Sequence, residues 1–215
     1  MRSMLVIGLG RFGEYLSLRL AELGNEVMVV DNDEHKIDRI ADRVTSAQVG
    51  DCMDSEVINS LGVRNFDVCF VCIGENFQSS LEITSLLKEA GARWVVSKAD
   101  REIHAKFLSK IGADAIIHPE RDMALRAAVR YSAGNAFDYI ELTDEYAIYE
   151  MSTPRDWVGH SLKELEVRSR YGVNVLGVKE GEHVRPITRA DRSFEKDEHI
   201  LVAGSKRDLL RVMDL

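Results

Sequence analysis

Three glycines, Gly8, Gly10 and Gly13, stand at G-x-G-x-x-G spacing in the stretch VIGLGRFGEYL. After a strand and into a helix, that spacing permits a tight turn and lets backbone N–H groups approach phosphate oxygens. Asp31 ends the next apolar run, VMVVD. A carboxylate there accepts hydrogen bonds from a ribose diol and repels a 2′-phosphate. The combination predicts an adenine-nucleotide site; the alternative is glycines used only for packing. Arg11 lies between the glycines. Its guanidinium suits β- or γ-phosphates, the alternative being a surface salt bridge.

More polar residues follow the later apolar runs. Asp51 and Cys52 follow the third, Gly74 and Asn76 the fourth and Lys98 the fifth. Glu120 follows the sixth, after His118 and Pro119. A carboxylate beside phosphates is repelled unless a cation intervenes, so Glu120 points to Mg²⁺ or another cation. Taken singly, Asp51 and Glu120 could stabilise helix N-termini, and Lys98 could be a solvated loop charge. Taken together they form a site-like pattern, because parallel strands end on one edge, where ligands bind.

The elements that must hold these residues are legible in the apolar periodicity. Strands are predicted at Met4–Gly8, Glu26–Asp31, Ser46–Gly50, Val68–Ile73, Trp94–Ser97 and Ala115–Ile117. The early ones are continuous apolar runs, as in strands buried on both faces. Helical stripes fall between them. Phe12, Leu16, Leu20 and Leu23 form one; Leu81, Thr84, Leu87 and Lys88 form another, ending at Gly91 as C-cap. The fold class is therefore α/β, a doubly wound parallel sheet. After Asn135 the pattern changes. AFDYIELTDEYAIYEM alternates like one half-exposed strand, and SLKELEVRSRYG reads as a short helix. Two strands joined by a tight turn at Glu180–Gly181 follow, then a strand in FEKDEHILVAG and a final helix in SKRDLLRVMDL. This is a small α+β unit, with the boundary near Asn135–Glu145. The division is residues 1–135 and 136–215.

The net charge of −8 argues against nucleic acid as a partner, which requires a basic face. The longest apolar run, VCFVCI, is far short of a membrane span. The first residues lack a signal-peptide layout, and three cysteines make no secreted disulfide framework, so a cytoplasmic protein is expected. Cys69 and Cys72 match C-x-x-C, but on a strand they point to opposite faces and read as buried hydrophobes. A dehydrogenase needs a proton donor or acceptor at the carbonyl. There is no Tyr-x-x-x-Lys pair and no HExxH; Tyr15 precedes Arg19 and Tyr171 precedes Val175 at that spacing. No enzymatic activity is expected.

The stretches VIGLGRFG, VVDNDEHKI, GDCMDSEVINSLGVRNFDVCFVCIGENFQSS, SKADREIHAKFLSKIGADAIIHPERDMA and SLKELEVRSRYGVNVLGVKEG resemble RCK (regulator of potassium conductance) proteins of the KtrA/TrkA type. The single unit fits the KtrA type better, since the TrkA type usually carries two in tandem. The resemblance implies a Rossmann-like nucleotide-binding domain followed by a C-terminal RCK_C (TrkA-C) subdomain. It implies a regulatory subunit of a bacterial potassium-uptake system, assembled as dimers and an octameric ring. The ring would lie beneath a KtrB/TrkH-like membrane pore subunit, on the inner face of the membrane. ATP, ADP or NAD(H) would change the ring's shape and gate the pore.

By matching motif, Arg11, beside Phe12, would meet terminal phosphates, either of its own nucleotide or of a neighbouring subunit's. Asp31, Asn32 and Asp33 would lie at the ribose, and Asp51 and Cys52 would flank the adenine. Cys72, Ile73 and Gly74, with Lys98, Ala99 and His104, would line the pocket. Glu120 would hold the cation. Cys52 and Cys72 stand where small residues such as alanine are common in the family. The resemblance also implies a cyclic di-AMP site between the second units of two subunits. Arg168 and Arg170 would pair with phosphates there, near Asn174 and Pro186, over an apolar floor of Val167 and Ile187. An ordinary dimer surface with solvated arginines is the alternative. Two other function classes stay open: an NAD-dependent oxidoreductase with an unrecognised active site, and an interaction module whose glycine loop holds nothing.

Overall fold

A computed structural model of the chain describes residues 1–74, 76–132, 136–181, 183–187 and 189–214. The chain forms two compact units, Met1–Arg121 and Asp122–Leu215. Asn135, where the sequence pattern changes, lies outside the described residues.

The first unit alternates strand and helix. It runs β1 (Ser3–Ile7), α1 (Arg11–Glu22), β2 (Glu26–Asp31), α2 (Glu34–Ile40), β3 (Ser46–Val49) and α3 (Ser55–Ser60). It continues with β4 (Val68–Val71), α4 (Phe77–Glu89), β5 (Val95–Lys98), α5 (Glu102–Lys110) and β6 (Ala115–Ile117). The sheet order is β3-β2-β1-β4-β5-β6 and every pairing is parallel. The chain winds outward from β1 to β3, then returns to β4 on the other side of β1. The order therefore reverses between β1 and β4, which opens a crevice at the strands' carboxyl ends.

The apolar strands are continuous because both faces are covered. Period-two alternation sends Leu5, Ile7 and Val71 into one layer with Ile58, Ile83 and Leu87 of α3 and α4. Met4, Val6, Val27 and Val29 enter the other layer with Ile37 and Ile40 of α2. Cys69 belongs to the first layer and Cys72 to the second, as strand spacing requires. Burial pushes both thiols up to about 12, so they remain protonated hydrophobes.

Two helical stripes differ from the sequence expectation. The buried face of α1 is Gly13 and Ser17; Phe12, Leu16 and Leu20 flank it, and Leu23 lies past the last turn and is exposed. A Cβ on Gly13 would lie 1.9 Å from the Gly8 carbonyl oxygen, so only small residues let this helix approach the turn. On α4 the buried face is Ser79, Ser80, Ile83, Thr84 and Leu87, with Leu81 half-buried at its side. Lys88 turns outward to Asp114 at 2.9 Å. Gly91 adopts φ +85° after α4, the left-handed geometry that ends many helices.

The second unit holds β7 (Ala136–Glu141), β8 (Tyr146–Ser152), α7 (Leu162–Leu165), α8 (Val167–Tyr171), β9 (Asn174–Glu180), β10 (His183–Pro186), β11 (His199–Ser205) and α9 (Lys206–Met213). Its antiparallel sheet has the order β10-β9-β11-β8-β7. Trp157, Phe194, Met151, Ile200 and Leu209 are buried in its core. The single alternating strand expected at its start is a hairpin, because Thr143 Oγ1 accepts the Tyr146 N–H at 3.0 Å and turns the chain. The single helix expected at SLKELEVRSRYG is two, broken by Glu166 at φ +48°. The sixth helix in chain order, α6 (Pro119–Ser132), begins in the first unit and continues into the second.

Candidate functional site

A cleft of about 860 Å³ opens at the carboxyl ends of the parallel strands. Its floor is the turn from β1 into α1. Gly8 adopts φ +94°, a conformation that L side chains avoid. Its N–H donates to the Val30 carbonyl at 2.9 Å. The Leu9 N–H donates to Asp31 Oδ2 at 2.6 Å, and the Asp33 N–H to Oδ1 at 2.9 Å. Asp31 thus locks the turn to β2, in addition to the ribose role expected for it. Lys36 Nζ lies 3.3 Å from the same carboxylate.

Gly10 caps α1 with no side-chain hydrogen bond, so the first-turn amides have no capping group. Its φ of −65° is open to any residue, and a Cβ there would meet no atom within 4 Å. Neither backbone conformation nor packing within the chain requires glycine at this position. Glycine is a favoured helix N-cap, and here it also leaves open space at the helix N-terminus of a size and polarity suited to a phosphate.

The cleft has two unlike sides, set by the two faces of the sheet. On the α1 and α2 side stand Arg11, Glu14, Lys36 and Arg39. On the α3 and α4 side stand Val30, Cys52, Met53, Ile73, Ser79 and Ile83. The first side offers charge and amides; the second offers an apolar slot. Burial pushes the Cys52 thiol up to about 12, with Asp51 and Asp31 adding to the rise.

At the β5–β6 end, Lys98 Nζ contacts Glu120 Oε1 at 2.7 Å and Asp100 Oδ1 at 3.3 Å. Burial works against the ammonium, but hydrogen bonds to Glu120 and Asp100 together hold its pKa above the ordinary lysine value. The hydrogen bond from Lys98 in turn lowers Glu120. A Cβ on Gly74 would fall 2.7 Å from Lys98 Nζ, so this glycine leaves room for the pair. The cation that Glu120 demands is here the Lys98 ammonium.

The structure brings most of the sequence-derived residues together. Gly8, Gly10, Arg11, Phe12, Asp31 and Asn32 lie on the walls, as do Asp51, Cys52, Cys72 and Ile73. So do Gly74, Asn76, Lys98 and Glu120. Four do not. Gly13 packs against the turn, and Asp33 caps α2 through the His35 N–H at 3.0 Å. Ala99 and His104 are buried behind the wall, with the His104 ring against Phe77 at 4.8 Å. Sequence reasoning missed Lys36, Arg39, Met53, Ser79 and Ile83. Only Ser79 and Ile83, four apart on one helix face, left a sequence signal.

The second candidate site is less coherent. Pro186 and Ile187 line a hollow of about 330 Å³ with Arg189, Asp191 and Arg192. Val167 is a core residue and offers no floor. Arg168 and Arg170 are exposed on α8, the latter's guanidinium 5.5 Å from the Tyr171 ring centre. Asn174 begins β9, also away from this hollow.

A doubly wound sheet with a nucleotide-type cleft, joined to a small antiparallel unit, defines a class. Residues 4–119 match the TrkA-N domain and residues 146–215 the TrkA-C domain, and the chain belongs to this family. It is 42% identical over 206 residues to Ktr system potassium uptake protein C of Bacillus subtilis, covering 96% of this chain and 93% of the relative. With Ktr system potassium uptake protein A of the same organism the identity is 37%, at the same coverage. A solved GsuK channel bound to NAD superposes with a TM-score of 0.65 at 17% identity, covering 99% of this chain and 39% of that one. The family is one of potassium-uptake proteins rather than enzymes.

Proposed function

We propose that this chain is a cytoplasmic regulatory subunit of a potassium-uptake system that binds ATP or ADP in the cleft of its first unit. Occupancy of the cleft would bias an assembly of several copies, a ring of eight in the finer reading, and so gate a membrane pore subunit. Gly10 carries the reading, because it leaves open space at the α1 N-terminus, with no atom within 4 Å of where a Cβ would stand, and that space suits a phosphate. The charged side of the cleft suits phosphates and the apolar side suits a base. NAD(H) shares the adenosine diphosphate portion and would enter the same way; the GsuK neighbour is a channel bound to NAD. No helix among the described residues is long and apolar enough to cross a membrane; in this reading the pore belongs to a partner. A divalent cation at Glu120 would have to displace Lys98, which requires the phosphates to draw that ammonium away. Cyclic di-AMP in the second unit would need a site completed by a second copy, since within one chain its expected residues do not share one hollow.

The test is thermal unfolding with ATP, ADP, NADH and cyclic di-AMP side by side, on the full chain and on Gly10→Ala. A ligand that binds the native state raises the melting temperature by mass action. ATP and ADP should raise that of the wild type. Gly10→Ala should cost ~1 kcal/mol or less as a cap change and lose most of the nucleotide shift. A full shift in Gly10→Ala would refute the site. A shift with cyclic di-AMP that survives Gly10→Ala would establish the second-unit site.

A further inference from the structure

Met53 is 38% exposed, lies on the apolar side of the cleft, and is held at both ends. Its N–H donates to Asp51 Oδ1 at 3.0 Å, fixing the backbone in an Asx turn. Its Sδ accepts a hydrogen bond from Ser79 Oγ, also at 3.0 Å. Ser79 is itself buried, and its N–H donates to Asn76 Oδ1, the cap of α4, at 3.1 Å. An exposed methionine ordinarily samples three rotatable bonds and adapts to whatever it meets. Tethering the sulfur to α4 removes much of that freedom before any ligand arrives. The result is a polarisable, apolar surface set beside Ile83 and Cys52 and facing open space. This is suited to the face of a flat ring rather than to phosphate or sugar.

Resting on the nucleotide reading above, we propose that Met53, pinned by Ser79, packs on the ligand's base and sets the preference for purine over pyrimidine. A purine covers more of such a surface than a pyrimidine does. Truncating the methionine should therefore penalise purines more. Ser79 acts only through Met53 and is a positioning residue.

The experiment is calorimetric titration of the full chain with ATP, UTP and inorganic tripolyphosphate, for the wild type, Met53→Ala, Met53→Leu and Ser79→Ala. Met53→Ala should weaken ATP by about tenfold, the scale of lost base packing, with a smaller loss for UTP and none for tripolyphosphate. Met53→Leu keeps the apolar bulk and should retain most of the affinity for ATP. Ser79→Ala should lower ATP affinity by roughly threefold and leave tripolyphosphate unchanged. Because Met53 is partly exposed, its variants should melt at nearly the wild-type temperature without ligand. An unchanged ATP-to-UTP ratio in Met53→Ala, or equal losses for ATP and tripolyphosphate, overturns the assignment while leaving the nucleotide site intact. A wild type that binds tripolyphosphate but neither nucleotide overturns both readings.

Discussion

Lys98 shows how one residue can join a fold to a signal. Its ammonium lines the cleft yet is committed to Glu120 and Asp100. Glu120 is held below the ordinary glutamate range chiefly by this hydrogen bond. A lowered carboxylate contributes stability above its unfolded pKa, and that contribution is lost as pH falls through the lowered folded value. The pair therefore persists at neutral pH and opens only in acid. Lys98→Met should bring the Glu120 carboxyl back up toward its ordinary range, read by carboxyl-carbon NMR titration. An unmoved titration would show that Lys98 does not set it. Arg11 is a further charge on the cleft wall, and no carboxylate pairs with it among the described residues. Arg11→Ala should weaken ATP by about tenfold, the scale of a charge-assisted contact, and ADP by less. Equal losses by calorimetry would remove Arg11 from terminal-phosphate recognition.

Helix α4 links several parts of the site. Asn76 caps it, its first turn carries Ser79, and Ile83 one turn later walls the apolar side of the cleft. Replacing Asn76 with Ala should cost about 1 kcal/mol in urea unfolding, the usual loss of a side-chain cap. A cost near zero would mean that the cap bond is not formed in solution. The parallel strands were legible because runs such as VMVVD admit no exposed face. Their carboxyl ends followed, and with them most of the cleft. The face of α1 was not legible. Large residues mark a stripe in sequence, while close approach to the turn selects Gly13 and Ser17. The hairpin of β7 and β8 was hidden too, since LTDE carries no glycine, proline or asparagine to announce a turn. Met53 eluded sequence reading because its place depends on Ser79, 26 residues away.

For the whole molecule, α6 is the element that leaves large apolar side chains exposed along its length. It spans 14 residues, and Met123, Leu125 and Tyr131 along it are 60%, 43% and 81% exposed. A helix of that length is marginal in water without packing on an apolar side. A second copy of the chain would supply such packing in the assembly proposed above, and Glu120, which meets the cleft, stands in its first turn. Assembly and ligand response would then run through one helix. Sedimentation velocity at tens of micromolar should show the wild type heavier than one chain. Leu125→Glu should shift it toward the single-chain value, because burying an unpaired carboxylate costs more than the leucine contact gains. Its melting temperature without nucleotide should also fall as the packing is lost. A wild type that sediments as one chain would overturn the assembly itself, and a Leu125→Glu variant that assembles unchanged would place the contact between copies elsewhere than on α6.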